Sequence, residues 1–223
     1  MDYRDIYQYL EDLAQNNNRP WFQTNRERYD AVREQWLCDI DRTLTAMSEW
    51  EPKMAYLSAK DCAYRIYRDT RFSPDKTPYK TFLSAALSPY GRKTNRAGYY
   101  VQMDIRDDES GVYGGLWCPD SQMLRKLRNA IVDNIEEFED ILHEPDLQRL
   151  YPDWIGGSLK TIPKGWRKDH PQADLLRLTA YGKGHMVGRD FFLSPDWPIR
   201  IADLLKPLKP LIDFLNYSLD EEL

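Results

Sequence analysis

The chain has 223 residues, of which 42% are hydrophobic, 30% charged and 13% aromatic, and its net charge is −5. That length buries on the order of 70% of the unfolded chain's surface, so a proper core and a single domain over 1–223 are expected, and the composition excludes a disordered or fibrous chain. The acidic balance argues against nucleic-acid binding by the whole surface, and no stretch approaches the ~20 apolar residues that a membrane helix needs.

The N-terminus, Met1-Asp2-Tyr3-Arg4-Asp5, has no apolar signal core, so the expected address is the cytoplasm, with no membrane partner. Cys38, Cys62 and Cys118 are odd in number and far apart. They form neither a disulfide framework nor a zinc spacing, which suits a reducing compartment.

Ile6, Leu10 and Leu13 share one helical face over 3–15. Asn16-Asn17-Asn18 stops that helix, and Pro20 presets a new start. From Trp21, the residues Phe22, Tyr29, Val32, Trp36, Ile40, Leu44 and Met47 recur every three or four positions with one longer gap. The pattern predicts one long amphipathic helix that ends before Pro52.

The period then changes, and strands are expected at 63–72, 82–88, 98–105 and 110–117. The clearest alternates Tyr99, Val101, Met103 and Ile105 with Tyr100, Gln102 and Asp104, as a sheet with one buried face requires. Asp107 to Gly111 reads as a hairpin loop longer than a tight turn. Helical period returns at 120–131, and Asp133 with Glu136 resembles a capping box for the next helix. A short helix is expected near 145–151, an ordered loop over 152–171, a new element at Leu175, Leu176 and Leu178, and a strand within 178–187. Ser194-Pro195 opens a last helical region through Leu219, which Pro207 and Pro210 must kink or split. Helices at both ends with consecutive strands between them predict an α+β fold with a mostly antiparallel sheet of about four to six strands.

One segment is unusual. Between Asp61 and Arg96 lie eight Lys or Arg and three acidic residues, a local charge of +5 that leaves −10 on the rest of the chain. If 65–71 is extended, Arg65, Tyr67, Asp69 and Arg71 share one face, and Ile66, Arg68, Thr70 and Phe72 the other. Both faces then carry Arg. Guanidinium forks seek carboxylates or phosphates, and Asp69 alone does not satisfy three of them. The cluster is either an anion site or a structural Arg–Asp network, and residue types alone leave both open. As a ligand site its members would be Arg65, Arg68, Arg71, Lys76 and Lys80 on the anion, Asp69 orienting one or two of the forks, and Tyr79 adding a hydroxyl donor.

The run Arg65-x-x-Arg68-Asp69-Thr70-Arg71-Phe72, followed by Asp75-Lys76-x-Pro78-Tyr79-Lys80, resembles the signature of a bacterial family catalogued as domain of unknown function 2461. Asn16-Asn17-Asn18-Arg19-x-Trp21-Phe22 with Asn25 and Tyr29 resembles the family's opening. Gly98-Tyr99-Tyr100, Gly114-Gly115-Leu116-Trp117, Asp169-His170-Pro171 with Leu175 to Leu178, and Phe214-Leu215-Asn216 extend the resemblance over nearly the whole chain. It implies no activity, substrate or catalytic residue. One departure is Tyr113, where the family tends to carry a third glycine before Gly114-Gly115. A glycine there either admits a ligand to the backbone or relieves crowding in a bulged strand.

Other motifs are weaker. Gly182-Lys183-Gly184-His185 with Gly188 has the composition of a phosphate loop without its spacing and reads as a flexible connection. His143, His170 and His185 form no metal spacing, and His170 before Pro171 reads as a turn leading into a helix. Trp21-Phe22 with Asn25 and Arg26 reads as a helix start packed into the core. Ser158, Ser194 and Cys118 lack a nucleophile-elbow context. No motif calls for a cofactor or metal. Asp220-Glu221-Glu222 reads as a solvated acidic tail.

Three function classes are therefore carried forward. The first is a cytosolic anion-recognising domain for a small phosphate or carboxylate ligand, with enzyme and binder both open. The second is an interaction module that docks an acidic protein partner. The third, lowest because of the acidic total charge, is single-stranded nucleic-acid binding through Tyr99, Tyr100 and the basic cluster. Nothing in the sequence sets the oligomeric state.

Overall fold

Asp2 accepts the N–H of Arg4 at 2.9 Å and starts α1, Tyr3–Gln15. Asn18 accepts from Trp21 at 3.0 Å and starts α2, Arg19–Thr24, with Pro20 in the first turn, where a missing N–H costs nothing. The long helix expected from Trp21 breaks at Asn25, whose backbone (φ −102, ψ 21) closes α2 before α3, Arg26–Met47. The Asn25 side-chain amide donates to the Trp21 carbonyl there. The break falls in the long gap of the apolar pattern between Phe22 and Tyr29. A computed structural model describes residues 1–220; Glu221 and Glu222 of the expected acidic tail lie outside the described residues, while Asp220 pairs with Arg96.

After a 3₁₀ turn at Pro52–Tyr56 and the short α4, Ala59–Cys62, the sheet begins. In chain order come β1 (Phe82–Leu87), β2 (Gly98–Asp104), β3 (Gly111–Leu116), α5 (Ser121–Asp133), α6 (Ile135–His143), α7 (Pro145–Leu150), β4 (Trp154–Ile155), α8 (Ala173–Arg177), β5 (Tyr181–Met186), α9 (Arg189–Leu193), α10 (Trp197–Leu205) and α11 (Lys209–Asp220). The five strands form one antiparallel sheet in the order β1-β2-β3-β5-β4. On β2, Tyr99, Val101 and Met103 are buried as the alternation predicts. The fold is therefore α+β.

Two expectations are corrected here. Residues 63–72 are not a continuous strand; they make single bridges at Ala63↔Ala85 and Tyr67↔Tyr79. Asp133 is the last residue of α5 rather than a cap, and Asn134 precedes α6 without a side-chain bond. Pro207 and Pro210 split the last helical region, with a 3₁₀ turn at Lys206–Leu208 between α10 and α11.

The chain's contacts group into two units, each drawn from several stretches of sequence. In the first, Ile6, Leu10 and Leu13 of α1 and Val32, Trp36, Ile40 and Leu44 of α3 are buried, and Trp36 stacks on Trp197 at 5.6 Å. Its one fully buried carboxylate on α3, Asp39, accepts from the Tyr3 hydroxyl (3.0 Å), Gln35 (3.0 Å) and Arg42 (3.1 Å). A buried charge needs that full set of donors. Burial, and then the Asp39 charge, push the Tyr3 phenol up to about 12.

In the second unit, Phe138 of α6 lies 5.0 Å from Phe214 of α11 and stacks on Trp154 of β4, whose ring meets Tyr181 of β5 edge-on. Gly115 on β3 has φ +126, and a Cβ there would stand 2.1 Å from the Tyr181 carbonyl oxygen. A Cβ on Gly114 would stand 2.8 Å from a Leu208 methyl. What approaches this backbone is therefore the neighbouring strand and a leucine. Trp117 is exposed rather than folded over the glycines. Tyr113 packs its ring where a Cβ of Gly184 would sit, 2.8 Å away. The departure from the family's third glycine is thus met by a glycine across the sheet.

Gly115→Ala is expected to cost about 2 kcal/mol or more, because backbone strain and a collision with main chain coincide. Gly91→Ala, at φ +78 with open space around it, is expected to cost about 1 kcal/mol. Urea denaturation midpoints of the two variants would test the order; equal costs would refute the close approach.

Candidate functional site

The basic segment folds back along the outer edge of β1. The N–H of Tyr64 reaches the Ser84 carbonyl (2.9 Å), that of Lys80 the Ile66 carbonyl (2.8 Å), and that of Arg68 the Pro78 carbonyl (2.9 Å). Between the first two of these bonds a single residue, Arg65, faces three, 81–83. This is a bulge, and it explains why 63–72 cannot run as a regular strand: the extra residues break the ladder, and the chain bends at Ile66.

Asn17 anchors the other side of this hairpin. Its side-chain amide donates to the Tyr79 carbonyl (2.9 Å) and accepts from the Tyr79 N–H (3.1 Å). In a wide antiparallel pair such as Tyr67↔Tyr79 the two residues' backbone groups point away from each other, so Asn17 satisfies the inner pair much as an adjacent strand would. The Tyr79 ring is 3% exposed and stacks on Phe22 at 4.1 Å, with Tyr67 at 5.5 Å. Packing is thus what Tyr79 visibly contributes. Phe22 is fully buried, as its place in a helix start predicts, and Arg26 is held by Asp30.

The cations of the segment divide into two groups. Asp69 binds Arg71 with both oxygens (2.9 and 2.6 Å), and Asp75 with Thr77 binds Arg68. Lys76 donates to the Thr70 carbonyl at 2.8 Å. Arg71 beside Asp69, and Arg68 beside Asp75, lower both carboxyls to about 2. Asp69 therefore orients one fork, and the second is oriented by Asp75. The Asp75-x-Thr77 spacing carried that signal, because the Asp75 carboxylate also accepts the Thr77 N–H (2.9 Å) as an Asx turn does. Farther on, Arg92 donates to the carbonyls of Lys60 and Ala63, and Arg96 serves Asp220 and the Asn216 carbonyl.

Arg65 and Lys80 are different. Arg65 is exposed and feels the Asp69 charge without a salt bridge or hydrogen bond to it, and the Lys80 ammonium has no salt bridge or hydrogen bond among the described residues. Lys80 is partly buried, with its Nζ 5.0 Å from the Tyr64 ring centroid and 5.4 Å from that of Phe82. Desolvation, and then the charge of Arg65, lower its pKa. Tyr64 stands 6.2 Å from Tyr100, so the ammonium lies on an aromatic floor.

The other candidates resolve into packing. Gly182-Lys183-Gly184-His185 is β5, not a flexible connection. Lys183 is 5% exposed, donates to the carbonyls of Tyr151 (2.7 Å) and Pro152 (3.4 Å), and lies 4.4 Å from the Trp154 ring centroid. His185 Nδ1 is 3.0 Å from the Leu150 carbonyl. Both side chains sit where α7 ends and leaves carbonyls unpaired, a place that favours donors and cations. His170 lies in a turn before α8, its Nδ1 accepting from the Gln172 N–H at 3.2 Å. No group of three or more potential metal ligands occurs among the described residues. Among them no helix is long and apolar enough to cross a membrane.

Asn17→Ala is expected to leave the Tyr79 N–H and carbonyl without partners at a cost of about 1–3 kcal/mol. Faster hydrogen exchange at the Tyr79 amide would accompany it, and an unchanged amide would contradict the clamp. Asp69 and Asp75 are lowered from the ordinary 3.8 to about 2. Their hold on Arg71 and Arg68 is therefore fully present above pH ~4 and lost as pH falls through ~2. NMR shifts of 69–77 should move in that window, and the Asp69 midpoint should rise in Arg71→Ala.

No curated protein and no solved structure matches the chain. The family described as a conserved hypothetical protein, DUF2461, matches residues 5–214, and the chain belongs to that family.

Proposed function

We propose that this is an anion-recognising protein whose site is the pair Arg65 and Lys80 on the aromatic floor of Tyr64 and Phe82. The observation that carries the reading is a partly buried ammonium on two aromatic rings that feels the Arg65 charge and has no carboxylate paired to it among the described residues, while Arg65 itself is held by no salt bridge there. Like charges that repel, one of them partly desolvated, are a standing cost in the free protein. A phosphate or carboxylate between them removes the repulsion and accepts from both. Arg68 and Arg71, held by Asp75 and Asp69, keep the surrounding potential positive without competing for the ligand.

The reading is recognition rather than chemistry. The two nearby carboxylates, lowered to about 2, are ionised but poor bases at neutral pH. The structural-network reading accounts for Arg68, Asp69, Arg71 and Lys76 and touches Arg65 through the Asp69 charge; it does not account for Lys80. Three free cysteines accord with a cytosolic setting.

Calorimetric titration with phosphate, pyrophosphate and short dicarboxylates tests the reading. Arg65→Ala and Lys80→Met are each expected to weaken the best anion at least about tenfold, ~1.4 kcal/mol. Anion binding should raise the Lys80 pKa, so affinity falls with rising pH before an ordinary lysine would titrate. Arg65→Ala should also raise it in the free protein. Stability in the free protein should rise with pH as the lowered Lys80 loses its proton, because the unfolded chain then holds more protons. A panel in which no anion moves the Lys80 resonance would overturn the assignment.

A further inference from the structure

The Arg65–Tyr67 stretch is the outermost backbone on its side of the sheet. β1 is the terminal strand of the order, and 63–68 lies beyond it. The inward groups of this stretch are used: the N–H of Tyr64, the carbonyl of Ile66 and the N–H of Arg68. The alternate groups, the N–H and carbonyl of Arg65 and of Tyr67, have no partner among the described residues. Its N-terminal end is closed, because the Ala63 N–H bonds the Ala59 carbonyl and the Ala63 carbonyl takes Arg92. Its C-terminal end is closed by the Asp69–Arg71 loop. The side chains flanking this open edge are exposed, Tyr67 at 42%.

We infer that this edge binds an extended, acidic polypeptide segment by strand addition, its backbone pairing with Arg65 and Tyr67 and an alternate carboxylate or phosphorylated side chain meeting Arg65 and Lys80. The inference rests on the anion reading above and names the carrier of the anion. An open edge offers main-chain bonds to any chain, and alternate side chains then choose among chains. Charge decides here. Two copies of this protein pairing edge to edge and antiparallel about this stretch would bring the Arg65 side chains together, and cations on an edge are a known block to self-association. An acidic strand reverses that term and relieves the Arg65–Lys80 repulsion. The bulge opposite Arg65 and the bend at Ile66 keep the open stretch short, so a partner meets two outward residues rather than a long ladder.

The test uses the full chain and a capped octapeptide of alternating Glu and Thr, beside the same peptide N-methylated on alternate residues and a Lys/Thr version. Inorganic phosphate is titrated in parallel. Expected are binding of the Glu/Thr peptide, at least tenfold weaker binding of the N-methylated peptide and of Arg65→Ala, none of the Lys/Thr peptide, and at least tenfold slower exchange of the Arg65 and Tyr67 amides in the complex. If phosphate binds through Arg65 but the Glu/Thr peptide does not, or N-methylation changes nothing, the strand-addition inference is overturned and the anion site stands. If Arg65→Ala affects neither phosphate nor peptide, both fall. A solution dimer that Tyr67→Pro dissociates would give the edge to a second copy and overturn the acidic partner.

Discussion

Asn17 stands in for a strand. Its side-chain amide presents one donor and one acceptor at the spacing of a peptide group, and Tyr79 pairs with it on both. That pair ties the 78–80 stretch to the connection between α1 and α2 while its other side carries the Tyr67 bridge. Without it, Tyr79 would have a free N–H and carbonyl beside a buried ring, a combination folded chains avoid. The placement of Lys80, the next residue, follows directly. Its N–H is fixed to Ile66, its ammonium is drawn over Tyr64 and Phe82, and Arg65 is left at the bulge opposite.

The second unit uses the same device. Asn216 of α11 accepts from the Ala97 N–H (2.9 Å) and donates to the Ala97 carbonyl (3.1 Å), where the chain enters β2. Both asparagines belong to stretches that resemble the family, as does Gly115, which admits the Tyr181 carbonyl. A side-chain amide can be exchanged for few others without leaving two backbone groups unmet, and a glycine at φ +126 for none without strain. These residue choices are thus explained by main-chain geometry. The Arg–Asp pairs of 68–75 fit the same description, since each fixes a fork or closes a loop.

The elements that were legible in the sequence are those whose periodicity is set by one buried face: α1 to the residue, β2 by its alternation, and the β2–β3 connection by its acidic run. The α2–α3 break was visible only as a missing apolar position, because an Asn that stops one helix and starts the next looks like any polar residue in a helix. The 63–72 region was misread for a physical reason. Its composition is that of a strand, but extra residues on the partner side break the ladder between its two bridges. β5 falls within the strand expected at 178–187, but its Gly182-to-His185 run reads as a loop because Gly182 and Gly184 suggest looseness. In the fold the absence of side chains there serves close packing by Ile155 and Tyr113. The site was legible as a cluster and not as a division. Charge spacing shows eight cations and three acids, but which carboxylate meets which fork depends on loop geometry.

That division governs how the basic segment is to be understood. A cation bound to a carboxylate in the same loop contributes order and some field, and exposed pairs of this kind add little stability. Arg68 and Arg71 are of this kind. A cation left without such a partner contributes field at a cost that grows as it loses water, and Lys80 has lost part of its water to two aromatic rings. A sequence free to place Asp or Glu beside it, in a chain with thirty-six acidic residues, has instead put Arg65 there. On the anion-site proposal, negative charge arriving from outside the hairpin would offset that cost.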